Sequence, residues 1–373
     1  MKKTIFILVF LILFSPATIY GEEVIEEDLY LTEKAIILEA DEVKDTGSEA
    51  FDEKLQIVKA EVLTGKYKGE IFEIENYLPD NEIYDIVVEK GDKVVLMIDE
   101  HSQEEVVAHI SDYSRENYTM YLAIAFVVLL LLIGRSKGLK AIISLVLTIG
   151  AILYILLPGI LKGLNPVPIS IAISIGVTIV TVFIIGGVNN KSLATIIGTT
   201  SGVIIAGLIS YYIGSKVKLT GLSSEEASML IHIPQGITFN FRNLLFSGII
   251  LGALGAVMDV GMSVASSISE INEANKDLTR GELFKSGMNV GKDIMGTMTN
   301  TLILAYTGSS IPLLLMFMAY ESSLVKIMNL DIIATEIVRA LSGSIGLILT
   351  VPITAFAASF LIKRKQEKSQ FKA

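Results

Sequence analysis

Residues Phe246–Ile271 read FSGIILGALGAVMDVGMSVASSISEI. The run is long and apolar enough to cross a bilayer as one helix, yet Asp259 sits near its middle. At helical spacing one face collects Gly248, Gly252, Gly255, Asp259, Ser263, Ser266 and Glu270, in steps of three and four. The flanks are apolar: Ile249, Ile250, Leu251, Leu254, Val257, Met258 and Val260. Small residues let membrane helices approach closely, and a mid-span carboxylate must face protein or water rather than lipid. The three glycines are therefore candidates for helix packing, and Asp259, Ser263, Ser266 and Glu270 are candidates for transport or ion coupling.

The whole chain fits that setting. Of its 373 residues 51% are hydrophobic and 19% charged, and the apolar residues fall in long blocks, as in a multi-span membrane protein whose main partner is the lipid bilayer. There is no Cys, which excludes disulfides, thiol catalysis and Cys-based metal sites. The formal net charge of −10 is unevenly spread: residues 22–118 hold 28 acidic and 9 basic residues, while residues 119–373 hold 12 acidic and 19 basic. An acidic block ahead of basic spans is the pattern of an exported domain on an inside-positive bundle, and it argues against nucleic acid as a partner.

Residues 1–21 read as a signal segment or an uncleaved N-terminal anchor: Lys2 and Lys3, the apolar run Thr4–Phe14, then Ser15-Pro16-Ala17 and Gly21. Residues 22–118 read as a small exported β domain, a five-stranded barrel that could be OB-like. The strand-like segments are Lys34–Glu39, Leu55–Leu63, Glu70–Leu78, Lys93–Ile98 and Val106–Ile110, with turn chemistry at Thr64–Gly69 and Lys90–Lys93. His101 and His109, among acidic residues, read as surface groups rather than a metal site.

From residue 119 to 363 the expectation is an all-α transmembrane bundle of about seven spans, followed by a basic tail over 364–373. The expected spans are Met120–Ile133, Ala141–Leu157, Ile169–Ile185, Leu193–Ile213, the opening stretch, Gly291–Tyr320 and Ile337–Ile362. Gly198 and Gly202 mark a packing face on the fourth. Ser223 and Glu226 suggest a capping box, and Asn272–Asn289 reads as a polar loop. The stretch 291–320 is either two spans or one broken at Thr307–Pro312; the position of Lys363-Arg364-Lys365 favours the broken span, with the C-terminus inside.

The sixth span has a second polar face of Asn289, Asp293, Thr297 and Asn300, with Thr299 and Thr301 beside it. Asp293 should lie near the cytoplasmic end and Asp259 about half a span deeper. Facing helices carrying Asp259 with Ser263 and Thr297 with Asn300 would form a polar seam inside the bundle, able to exchange a proton or coordinate a cation. Glu336 and Arg339, at i and i+3, suggest an interfacial ion pair.

Four stretches carry a family resemblance: GALGAVMDVGMSVASSISE (Gly252–Glu270), GKDIMGTMTNTLILAYTG (Gly291–Gly308), TGKYKGEIFEIEN (Thr64–Asn76) and ISDYSR (Ile110–Arg115). In these the chain resembles the YibE/YibF-like family of bacterial membrane proteins, in its longer form with an exported domain. The resemblance implies a polytopic cytoplasmic-membrane protein of the kind often described as a permease. It implies no substrate, cofactor or catalytic residue.

Three functions compete at this stage. The first is a transporter of an unknown small molecule or ion along the Asp259 seam. A mid-span Asp, a polar loop and a Thr-rich span are similar to proton-driven permeases of the resistance–nodulation–division type, which favours proton over sodium. The second is a scaffold or accessory subunit that meets a protein partner through the exported domain. The third is an intramembrane aspartyl enzyme using Asp259 and Asp293. Met258-Asp259 and Lys292-Asp293 lack the Tyr-Asp and Gly-x-Gly-Asp contexts of that class, and no HExxH or Gly-x-Ser-x-Gly occurs. The expectation is a non-enzyme without metal or cofactor, of open oligomeric state.

Overall fold

The computed structural model describes residues 30–45, 54–78, 85–99, 106–232, 238–320 and 323–370. Residues 1–21, where a signal segment or N-terminal anchor is expected, and His101 lie outside them. The chain divides into two compact units, Tyr20–Leu130 and Leu131–Ala373.

The first unit is built on one antiparallel sheet of β1 (Tyr30–Ala40), β2 (Lys44–Asp45), β3 (Lys54–Val62), β4 (Ile71–Leu78), β5 (Lys93–Asp99) and β6 (Val107–Tyr113). All five strand-like segments are strands; β2 is a two-residue addition. The order is β2-β3-β1-β5-β6, with β4 also paired to β3. A register shift between Ile37 and Glu39 bends β1, so that this one long strand pairs with both β3 and β5. The sheet curls until β4 and β6 pack on each other, giving a half-barrel. Alternation fills it: Val58, Ala60 and Val62 of β3 and Ile74 of β4 point inward with Ile37, Val94, Leu96 and Ile98. The turn expected at Thr64–Gly69 forms, with Gly65 and Gly69 both at positive φ.

Two polar side chains are part of this interior. Gln56, 3% exposed, donates to Val88 O (2.8 Å) and Asp41 O (3.1 Å) and accepts from Val88 N (3.1 Å). Asn76 donates to Ile86 O at 2.8 Å. Together they hold the irregular segment 85–88 to the sheet, supplying hydrogen bonds that a strand would otherwise give.

The second unit is helical. Its elements are α1 (Glu116–Ala151, begun in the first unit), a π turn (Ile152–Leu156), α2 (Leu157–Leu161), α3 (Pro166–Gly186), α4 (Asn190–Lys216), α5 (Glu225–Met229), α6 (Phe241–Ala274), α7 (Arg280–Ser309), α8 (Ile311–Tyr320), α9 (Leu324–Met328) and α10 (Asp331–Gln370). Among the described residues five helices are long and apolar enough to cross a membrane, and the bent pair α7–α8 makes a sixth if it is one span. The sequence count of seven differs because it divides the run Glu116–Leu161. That run is 46 residues long, about 69 Å as a straight helix and roughly twice a hydrocarbon core. It is helical except at Arg135, where φ is 47° and ψ −121°.

Local chemistry accounts for the helix ends. Asn165, Asn189 and Asn240 accept hydrogen bonds from Val167 N, Ser192 N and Asn243 N at the starts of α3, α4 and α6. Two expectations are corrected. The cap of α5 is Ser224, which accepts from Ala227 N, while Ser223 turns its hydroxyl to Thr335. The polar stretch Asn272–Asn289 is mostly helix: α6 runs to Ala274, and Thr279 with Glu282 forms a capping box that starts α7 at once. At the other end of α7 the Ser309 and Ser310 hydroxyls donate to Tyr306 O, and Pro312 lacks the N–H needed to continue the ladder. There α8 bends away by 59°.

Candidate functional site

Helix α6 is central, packed by α3, α4, α7 and α10. Its buried side is the apolar flank of the opening stretch, Ile249, Ile250, Ala253, Val257, Val260, Val264 and Ile268. The neighbours accommodate it with small residues of their own. On α4, Gly198 and Gly202 are buried, and a Cβ at either would run into the hydroxyl of Thr354 or Thr350 on α10. At Gly346 of α10 a Cβ would lie 2.6 Å from Gly202 O, and at Gly261 of α6 it would lie 2.8 Å from Thr199 Oγ1. Three helices thus meet through glycines around Thr199, Thr350 and Thr354. Thr350 donates to Gly346 O at 2.9 Å, whereas Thr199 and Thr354 Oγ1 are buried without a hydrogen-bond partner. Single-helix spacing pointed to Gly198 and Gly202 but not to their threonine partners, because nothing in one helix names the residue that faces it.

The polar stripe lies elsewhere. Gly248, Gly252, Gly255, Asp259, Ser263 and Glu270 are exposed, and Ser266 is half-buried. A Cβ on Gly248 or Gly255 would meet nothing within 4 Å, and one on Gly252 would meet only Tyr306, its hydroxyl at 2.7 Å. Among the described residues the seam expected inside the bundle is therefore not formed. The physical reason is competition for the interior: β-branched and small apolar residues on the opposite side of α6 fit the glycine-lined grooves of α4 and α10. On α7, Asn289, Lys292, Asp293, Gly296, Thr297 and Asn300 are likewise exposed, while Leu283, Gly287 and Gly291 are buried.

The register of the antiparallel pair corrects the expected depths. Gly287 packs on Ile268, Gly291 on Val264 and Gly252 on Tyr306. This places Gly291 level with Val264, and so Asp293 level with Met262. Asp293 is thus within about one helical turn of Asp259 along the axis, not half a span away. Among the described residues Asp259, Lys292 and the Asp293 carboxylate form no ion pair or side-chain hydrogen bond, and none joins the two aspartates. The Thr297 and Thr301 hydroxyls are turned back to their own helix, on Ile294 O and Thr297 O.

Other features complete the picture. Glu336 and Arg339 form the expected i,i+3 pair, at 2.7 Å. No group of three or more His, Asp or Glu suited to a metal exists among the described residues. An open cleft of about 640 Å³ lies at the N-terminal end of α6, lined by Tyr211, Ser215, Thr220, Asn240, Arg242 and others. Thr220 Oγ1 donates to Asp331 at 2.6 Å beside it. Its residues come from separate segments, so no local pattern reveals it.

No curated protein and no solved structure matches the chain. Two family models do: the YibE/F family N-terminal domain over residues 28–113, which is the sheet, and the YibE/F-like protein model over residues 122–364, which is the helical region. Together they cover nearly all of it, and the chain belongs to the YibE/F-like family.

Proposed function

We propose that the chain is a multi-span transporter of the bacterial cytoplasmic membrane, with the sheet unit outside and the C-terminus inside, and that its solute or ion path follows the polar face shared by α6 and α7. The observation that carries this reading is the placement of Asp259 and Asp293 within about one turn of each other on unburied, small and polar helix faces. In hydrocarbon such a face is costly unless it meets protein or water. Carboxylate, hydroxyl and amide oxygens along it suit a proton or a hydrated cation, and the bend between α7 and α8 is of the kind found in broken transporter helices. In the same reading the half-barrel is OB-like, and its support is the strand order, with β1 between β3 and β5 and with β4 packed on β6.

The test compares small-molecule and metal content in cells lacking the protein, complemented with the native chain or with Asp259→Asn. The native chain is expected to restore the content and Asp259→Asn to fail while still reaching the membrane. Full restoration by Asp259→Asn would overturn the proposal. The scaffold reading draws on Ile71 and Tyr77 of β4, 60% and 55% exposed. It predicts that deleting residues 22–118 removes binding of a protein partner and leaves cell content unchanged.

A further inference from the structure

Among the described residues no element covers the α6–α7 face. Its stripe runs from Gly248 to Glu270, about 33 Å of helix, which matches the whole hydrocarbon thickness. Side chains at the middle of such a row cannot reach water by extending toward either end. Along it Gly248 and Gly255, with Gly296 on α7, have open space where a Cβ would stand. These are the positions at which another helix can approach closely, and among the described residues none does so. The face also carries both charge signs at neighbouring depths: Lys292 is exposed and unpaired, and Asp259 and Asp293 are exposed without ion pairs, among the described residues.

We infer that this face is covered by a second copy of the chain, related by a two-fold axis, with Lys292 of each copy set against Asp259 of the other. A two-fold contact places one surface against itself, so it must be self-complementary. A face with a lysine and a mid-span aspartate about one turn apart in depth meets that requirement, whereas a purely acidic face would repel its copy. The open glycines let the two faces close, and the path proposed above then lies between copies. The inference rests on this face being unsuited to lipid, and not on transport itself.

The chain has no Cys, so single-cysteine variants report the contact without background. Gly255→Cys, Ser263→Cys and Gly296→Cys in native membranes, treated with an oxidant, are expected to give an adduct of twice the chain mass. Phe356→Cys, an exposed position on α10, is expected to give several-fold less. Asp259→Lys should lower cross-linking at Ser263→Cys several-fold, and adding Lys292→Asp should restore it. Native mass spectrometry of the cysteine-free chain, released in mild detergent, should show a dimer. The inference is overturned by a monomer there, by an adduct of any other mass (a different protein), or by equal cross-linking at Phe356→Cys. A dimer with no effect of Asp259→Asn on cell content removes the transport reading alone; a monomer with such an effect removes the dimer alone.

Discussion

Thr354 on α10 fills the space that any side chain on Gly198 of α4 would need, and Thr350 does the same at Gly202 one turn away. The two helices therefore interlock by hydroxyl-bearing knobs in glycine holes. A methyl group at Gly202 would also press on Val257 and on Gly346 O, so backbone as well as side chains would have to move. Gly202→Ala is expected to destabilise the helical unit by roughly 1–3 kcal/mol, the usual range for overpacking. Gly176→Ala on α3, an exposed position where a Cβ would meet nothing within 4 Å, should not lower the unfolding temperature. Thermal unfolding of the purified chain in detergent checks both; equal losses at the two positions would contradict the packing described.

Much of this was legible in the sequence, and the part that was not has a common cause. The five strands followed from alternation and turn residues because each signal is local to its own segment. Gly198 and Gly202 stood out by their spacing. A glycine and serine stripe looks like a packing face until the partner surfaces are known, yet the side of α6 that is buried is the apolar one. On α4 and α10 the grooves are lined by glycine and threonine, and they accept Val257 and Ile250 instead. The start of α7 was readable at Thr279-x-x-Glu282, but the surrounding polarity masked it.

Gln56 gives the second prediction. Gln56→Leu keeps the side chain's approximate size but leaves Val88 N and O without their partners in a buried setting. An orphaned buried group costs about 1–3 kcal/mol. The loss should concentrate in segment 85–88, so deuterium uptake there should rise more than in β5 or β6. Uniform uptake across the sheet would refute the anchoring role.

Acid should act on the outer surface of the same sheet. Glu39 of β1 and Lys59 of β3 are directly opposite and paired at 3.0 Å. The Lys59 ammonium, by hydrogen bond and charge, holds the Glu39 carboxyl below its ordinary value of 4.5. A carboxylate with a lowered folded pKa stabilises above its unfolded pKa, and that contribution disappears as pH falls through the folded value. Glu39→Gln should therefore lower the unfolding temperature slightly at neutral pH, the pair being exposed. The difference from the native chain should vanish well below pH 4.5. A difference that persists in acid would show that the substitution acts through packing rather than charge.

In the proposed membrane reading, the break at Arg135 decides how the rest of the chain is threaded. Arg135 is a non-glycine residue at φ 47°, flanked by Gly134, Lys137, Gly138 and Lys140, and a cationic cluster of this kind belongs on the cytoplasmic side. If the chain crosses once before Arg135 and again after it, Ser136 is inside and Leu164 outside. If Glu116–Leu161 were a single crossing, Leu164 would be inside, and every later loop would reverse. Both positions are exposed, and the absence of native cysteine makes labelling unambiguous. With the sheet unit outside, a membrane-impermeant maleimide added to intact cells freed of their outer barrier should label Leu164→Cys and spare Ser136→Cys. Opening the membrane should then expose Ser136→Cys. Labelling of Ser136→Cys before opening, or protection of Leu164→Cys, would refute two crossings, and with them the inside placement of the loop between Ala274 and Arg280 that follows from this threading.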